Sequence, residues 1–362
     1  MRRWMLVVPL IALAGCGGNG NDGGGGGGGE LPTFTRSFLN GSFGESGVVA
    51  GKGGQAAGAS RPAGAASSTV PPFVRQATMW ALSSSAPTVL HPSSRASSEL
   101  FGLSDALFVG WTTDSSGTVR AAIWDRTAGN AFSELSGGFT ESRAYGVASN
   151  LIAGQGRPSG GTMHAVLWNK SAGGAPTDLN GSFTSSSAFG IGGTRVVGFG
   201  ATGGVDRATL WDTAAGNAVT DLHPSGASSS QARGISGDIV AGSANGHAGF
   251  WNLASGDTFT DLTPSGSGTA YGTNGRFIVG ATGGRVGFTS LSGELFNASK
   301  AALWDRENSN ALVDLHTQYL NDQGYQWSVA LGVDEDGNVY GVGGAVVDDY
   351  NANYRAWVLT KR

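Results

Sequence analysis

The side chains of this chain with the reach to do chemistry are five histidines, 26 carboxylates and one cysteine, and their spacing decides what they can do. His91, His223 and His316 occupy the same place in three separate repeats. As zinc ligands their ring nitrogens would have to lie about 2.0–2.1 Å from one ion, which equivalent positions of different units do not allow. Asp334-Glu335-Asp336-Gly337-Asn338 opens like a calcium loop, but the twelfth position, where a bidentate glutamate is needed, is Ala345. An Asp/Gly turn between two strands is the expected reading. The glycine-rich GQGRPSGG (154–161) lacks the helix that a phosphate-binding loop needs. No G-x-S-x-G, H-E-x-x-H or C-x-x-C motif occurs. A glycoside hydrolase or lyase needs two carboxylates about 5–9.5 Å apart. The aspartates that recur in register, Asp178, Asp221, Asp261 and Asp314, fall on outer strands and read as structural. A non-catalytic protein without metal or cofactor is expected.

Charge and cysteine usage bound the partners. The 362 residues carry 22 basic and 26 acidic side chains, a net charge of −4, with no run of Lys or Arg, so nucleic acid is not the expected partner. A hydrophobic content of 40% suffices for a core, and 63 glycines without a Gly-X-Y period exclude collagen. Cys16 is the sole cysteine, which rules out an internal disulfide.

That cysteine sits at an address. Arg2 and Arg3 precede eleven apolar residues, 4–14, too few to span a bilayer core that needs about 20. Their dimensions are those of a secretory signal. Leu13-Ala14-Gly15-Cys16 resembles a bacterial lipobox, which implies a signal peptide over 1–15 and lipidation of Cys16. Several acyl chains at about 0.8 kcal/mol per buried methylene would hold the protein on a membrane. Residues 16–30 then form a Gly-rich tether with a reach of roughly 20 Å. Gly17, rather than Asp, follows the cysteine, and in lipoproteins of this kind that implies the outer membrane or cell surface.

The elements that position any site are repeated. QATMW, RAAIW, HAVLW, RATLW, HAGFW and KAALW begin at 76, 120, 164, 207, 247 and 300, and RAWVL at 355 places Leu359 in the Trp position. Each of the middle units adds an Asp-Leu pattern (TDLN 177–180, TDLH 220–223), an Ala-x-Gly pattern (AYGV 144–147, ARGI 232–235) and a β-branched run ending in glycine (VVG 196–198, IVG 278–280). Short apolar runs between Gly/Asn/Asp turns read as strands. Four strands in roughly 47 residues, repeated over 31–362, predict an all-β, seven-bladed β-propeller. The Ala-x-Gly strand, with the smallest side chains, is expected innermost, then the β-branched run, the Trp strand and the Asp-Leu strand. SFLNG (37–41) matches an outer strand and RAWVL a third strand, so pairing of the N-terminal and C-terminal strands is expected to close the ring. The first unit shows GVVAG (47–51) but no Ala-x-Gly strand, leaving open six full blades plus a degenerate one. With Trp124-Asp125, Trp211-Asp212 and Trp304-Asp305 each followed by a Gly or Asn turn, the unit resembles WD40 blades and, more closely, the extracellular HAF repeat over most of 76–362. That resemblance implies secretion but no established activity.

Contact sites are expected where the repeat varies. The variable inner-strand residues are Phe101, Tyr145, Phe189, Arg233, Tyr271 and Leu331, preceded by Arg143 and Gln231, and they should face the axis. The last unit gathers Tyr319, Tyr325, Trp327, Tyr340, Tyr350 and Tyr354. Arg143, Tyr145, Arg233, Tyr271, Tyr325 and Trp327 are the candidate ligand-binding residues, because Tyr and Trp join apolar area to a polar tip. The repeated tryptophans are expected in the core. The polar residues opening each third strand (Gln76, Arg120, His164, Arg207, His247, Lys300, Arg355) are expected to bond along the blade edge. The expectation is a monomeric, membrane-anchored propeller binding a protein or glycan at the cell envelope. A polysaccharide-active enzyme and a structural envelope protein are the alternatives.

Overall fold

The computed structural model describes residues 30–39, 43–62, 75–135, 137–283, 299–348 and 351–362. The signal segment, Cys16 and the tether up to residue 29 lie outside the described residues, as does the insertion 284–298. Leu31–Arg362 forms one compact unit of seven four-stranded antiparallel sheets, a seven-bladed β-propeller. The inner strands, blades 1 to 7, are Phe43–Lys52, Ser97–Leu103, Glu141–Ala148, Ser185–Gly192, Ser230–Ser236, Gly268–Thr273 and Trp327–Val333. In blade 4 the second, third and outer strands are Arg195–Thr202, Val205–Asp212 and Ala218–Asp221, and the other blades repeat this order.

Two glycine positions dictate the architecture. The glycine ending each β-branched run lies against the inner strand of its own blade. A Cβ on Gly110 would sit 1.8 Å from the Glu99 carbonyl oxygen, and one on Gly198 1.9 Å from that of Ser187. The glycine of Ala-x-Gly faces the next blade instead. Added Cβ atoms on Gly102, Gly146, Gly190, Gly234, Gly272 and Gly332 would lie 2.7–3.2 Å from the carbonyl oxygens of Tyr145, Phe189, Arg233, Tyr271, Leu331 and Val49. That last contact runs from blade 7 to blade 1, so the inner ring is continuous.

The first unit is a complete blade. GVVAG belongs to its inner strand, with Val48-Val49-Ala50 where blades 3 to 7 have Ala-x-Gly and blade 2 has Leu100-Phe101-Gly102, and with the same register shift, between Val48 and Ala50. Its second strand is Gln55–Pro62, whose Gly58 takes the place of Gly110.

Closure follows the predicted pairing. Phe34–Phe38 is the outer strand of blade 7 and pairs antiparallel with Asn351–Lys361, from Phe34 opposite Lys361 to Phe38 opposite Trp357. The core lies between blades. Trp80, Trp124, Trp168, Trp211, Trp251 and Trp304 are each at most 1% exposed. Trp211 packs toward blade 3 on Ala165 and Leu167, beside Ala188 of its own blade, whereas Ala208 and Leu210 pack toward blade 5 on Ala232 and Trp251.

Candidate functional site

Each inner strand carries a bulge at Ala-x-Gly or its equivalent, and the residue x falls out of register with the second strand: Val49 between Val48 and Ala50, Tyr145 between Ala144 and Gly146, Arg233 between Ala232 and Gly234. A bulge re-aims one side chain. Here the re-aimed side chains of successive blades meet. Phe101 and Tyr145 stand edge to face with centroids 5.4 Å apart, and Tyr145 and Phe189 follow at 5.6 Å. The Arg233 guanidinium carbon then lies 4.9 Å from the Phe189 centroid and 5.4 Å from that of Tyr271. Tyr271 and Leu331 both pack on Trp327, Val329 and Val342. All of these x residues are half-buried. Blades 2 to 6 therefore supply a continuous arc of four aromatic rings and one stacked arginine, while blades 7 and 1 supply Leu331 and Val49.

A polar tier precedes the arc by two residues on the inner strands of blades 2 to 6, where blades 7 and 1 have Val329 and Gly47. Glu99 is bonded through Oε2 to Arg75 at 3.1 Å and is fully buried. Arg143 pairs with Glu141, which also meets Arg157 at 3.4 Å. Ser187 donates to Gln155 at 2.9 Å; Gln231 donates to Asp206 at 2.9 Å and accepts from Arg233 at 2.8 Å. Glu45, paired with Arg61 at 2.9 Å, continues the tier in blade 1. Burial pushes the Glu99 carboxyl up to about 7 despite the opposing charges of Arg75 and Arg143, and it raises Glu45 against Arg61 and Arg75. Sequence reasoning missed Glu99. Its signal was a carboxylate at the register position that Arg143 and Gln231 hold in other blades.

Of the six candidate residues, the structure brings Tyr145, Arg233 and Tyr271 into the arc and Arg143 into the tier above it. Tyr325 and Trp327 are corrected: at 5% and 1% exposure they present no face to a ligand. Tyr325 lies three residues before Ser328, as Phe139 lies before Ser142 and Phe183 before Ser186. All three rings cover a second-strand glycine, Gly343, Gly156 and Gly200 respectively. The aromatic is a structural seat. Trp327 fills the joint between blades 6 and 7. Tyr340 is buried, Tyr319 packs against Phe34, and Tyr350 and the side chain of Tyr354 lie outside the described residues.

The remaining polar motifs are occupied by the fold. The recurring aspartates accept from the backbone two or three residues on, as Asp221 does from His223 at 2.9 Å. They also pair with the third-strand opener: His164–Asp178 at 2.8 Å, Arg207–Asp221 at 3.0 Å, His247–Asp261 at 3.1 Å. In blades 2 to 6 the Asp or Asn after the third-strand Trp caps a short 3-10 turn, Asp212 accepting from Ala214 at 3.0 Å. Asp334 spends both oxygens on protein donors, among them Asn338 at 2.9 Å and Tyr340 at 2.5 Å, as an Asp/Gly turn requires. His91, His223 and His316 each bond a serine of the following blade, at 2.7, 2.7 and 2.8 Å. Among the described residues no group of three His, Cys, Asp or Glu could hold a metal, and no helix is long and apolar enough to cross a membrane.

No protein-family model matches this sequence, and no curated protein is significantly similar to it. Solved structures share the fold. The β-propeller domain of the trilobed protease from Pyrococcus furiosus, described as having an open velcro topology, aligns over 88% of this chain and 97% of its own, at 8% identity and TM-score 0.55. An acylaminoacyl peptidase from Pyrococcus horikoshii aligns over 92% of this chain and 52% of its own, at 8% identity and TM-score 0.55. TolB from Acinetobacter baumannii aligns over 72% of this chain, at 13% identity and TM-score 0.48, and this chain spans 63% of it. Identities this low show a shared architecture alone.

Proposed function

We propose that this protein is a non-catalytic binding propeller of the bacterial envelope that receives a protein or glycan partner at the axial arc. The observation that carries the reading is the continuity of Phe101, Tyr145, Phe189, Arg233 and Tyr271, one from each of five successive blades. Rings held against one another lose little side-chain freedom on binding, and Tyr and Arg are over-represented among residues that dominate binding energy. The N-terminal segment supports an address consistent with this role: a signal peptide, a lipidated Cys16 and a Gly-rich tether would present the propeller at the outer membrane or cell surface. The HAF-like repeats fit such an exposed place.

Replacing Arg143, Tyr145, Arg233 and Tyr271 together with alanine should abolish partner capture by whole cells, read by crosslinking and by a glycan panel. Unchanged capture defeats the axial site. A second reading, a polysaccharide-active propeller, draws on Glu99 and Glu45, carboxylates of adjacent inner strands that both feel the charge of Arg75. Hydrolysis of any polysaccharide by the wild-type protein but not by Glu99→Gln would favour it.

A further inference from the structure

The joints between blades share a hydrogen-bonded clasp. The backbone N–H of the alanine in each third strand donates to a hydroxyl. For Ala77, Ala208 and Ala301 the acceptors are Ser98, Ser230 and Ser328 of the next blade, at 2.9, 2.8 and 3.0 Å. The serine proton must then go to another acceptor, since these hydroxyls are at most 2% exposed. At these three joints that acceptor is histidine Nδ1: His91 between blades 1 and 2, His223 between 4 and 5, His316 between 6 and 7. His223 shows which tautomer is required. Its Nε2–H donates to the Ala227 carbonyl at 3.0 Å, so Nδ1 is the bare nitrogen that accepts from Ser230. Two other joints close with no imidazole at the hydroxyl, although at the second His247 Nδ1 bonds the Thr263 carbonyl at 3.0 Å. Between blades 3 and 4, Asn180 accepts from Ser186 at 2.6 Å and donates to the Phe183 carbonyl at 2.7 Å. Between blades 5 and 6, Thr263 takes the Ala248 N–H itself at 3.0 Å.

We propose that the three histidines make the ring acid-sensitive at chosen joints, loosening blades 1–2, 4–5 and 6–7 on protonation while the joints closed by Asn180 and Thr263 hold. A proton on Nδ1 removes the acceptor, strands the buried serine O–H and places a cation in the joint. The surrounding charges do not offset it. His91 bonds the Arg95 backbone, and the Arg95 guanidinium is engaged by Glu134 at 2.7 Å. Near His223, the Asp221 carboxylate is engaged by Arg207. His316 faces Lys300, which opposes protonation, and Asp314, which favours it but is bonded to Thr317 at 2.7 Å. Burial is the leading effect on both His91 and His316 and holds each below the ordinary imidazole value. The sign follows for these two: each clasp contributes stability above about pH 6.5, and this is lost as pH falls through the depressed folded values of His91 and His316.

Amide hydrogen exchange of the full chain at pH 7.0 and 5.5, corrected for intrinsic rates, tests this joint by joint. The Ala77, Ala208 and Ala301 amides should lose at least tenfold protection at pH 5.5, whereas those of Ala165 and Ala248 keep theirs. Equal change at all five, or at none, overturns the proposal. In the variant His91→Asn/His223→Asn/His316→Asn, with the residue already used between blades 3 and 4, the selective loss should vanish. Should that variant fold poorly, the nitrogen shifts of the wild-type rings decide instead. A protonated Nδ1 in the neutral form of these histidines would equally overturn the proposal.

Discussion

Glu99 is a carboxylate with no exposed surface. Its folded value near 7 lies above the ordinary carboxylate, so the folded state binds the extra proton. The stability this contributes is complete below about pH 4.5 and disappears as pH rises through 7. Glu99→Gln should therefore gain on the order of 1–3 kcal/mol relative to wild type between pH 5 and pH 8, measured by urea midpoints at both values. A parallel pH course in the two proteins removes the case for a buried, titrating acid. The histidine clasps act in the opposite sense over part of the same range, so their variants have to be compared at fixed Glu99. Residue identity alone left Glu99 unread, because the position before the bulge is Ser187, Gln231 or Thr269 elsewhere and no repeat flags it. The arc was legible, since in blades 3 to 7 Ala-x-Gly varies only at x. The misreading of Tyr325 has a physical cause: the sequence shows an aromatic cluster, but not the bare Gly343 beneath the ring.

At the level of the strand, the two glycine positions carry the tightest constraint. Gly198→Ala puts a methyl group 1.9 Å from the Ser187 carbonyl oxygen, so the inner strand has to separate, at a cost of about 3 kcal/mol or more. Gly129→Ala is the control. It caps the 3-10 turn after Asp125 at φ 68° with open space around it, and only the backbone preference of about 1 kcal/mol is at stake. Thermal midpoints of both variants should rank in that order, and a Gly198→Ala protein as stable as the control contradicts the contact. Trp211→Ala, emptying a joint closed by Ala165, Leu167 and Ala188, should cost about 3–5 kcal/mol by the same measurement. Strand order was legible from side-chain size because only small residues fit where blades converge. Blade 1 was not, since Val48 and Ala50 stand where blades 3 to 7 carry alanine and glycine, and its β-branched pair reads as a second strand.

For the molecule as a whole, the ring depends on a short strand. Phe34 and Leu39, at 4% and 0% exposure, bury their side chains against blade 7 and the blade 7–1 joint, and Leu39 donates to the Ala356 carbonyl at 3.1 Å. A chain starting at residue 31 should unfold like the longer one. One starting at 43 leaves the outer edge of Asn351–Lys361 unpaired and should lower the thermal midpoint and aggregate, as sedimentation would show. Closure was legible because SFLNG and RAWVL are outer-strand and third-strand copies lacking partners of their own. The same arrangement sets an order of events during biosynthesis. A ribosome releases Phe34–Phe38 early, yet its partner is among the last residues made, so at about 5–20 residues per second the early strand waits roughly 15–60 s. Throughout that delay its partner strand does not yet exist, and an unpaired β-segment is a template for pairing with other chains.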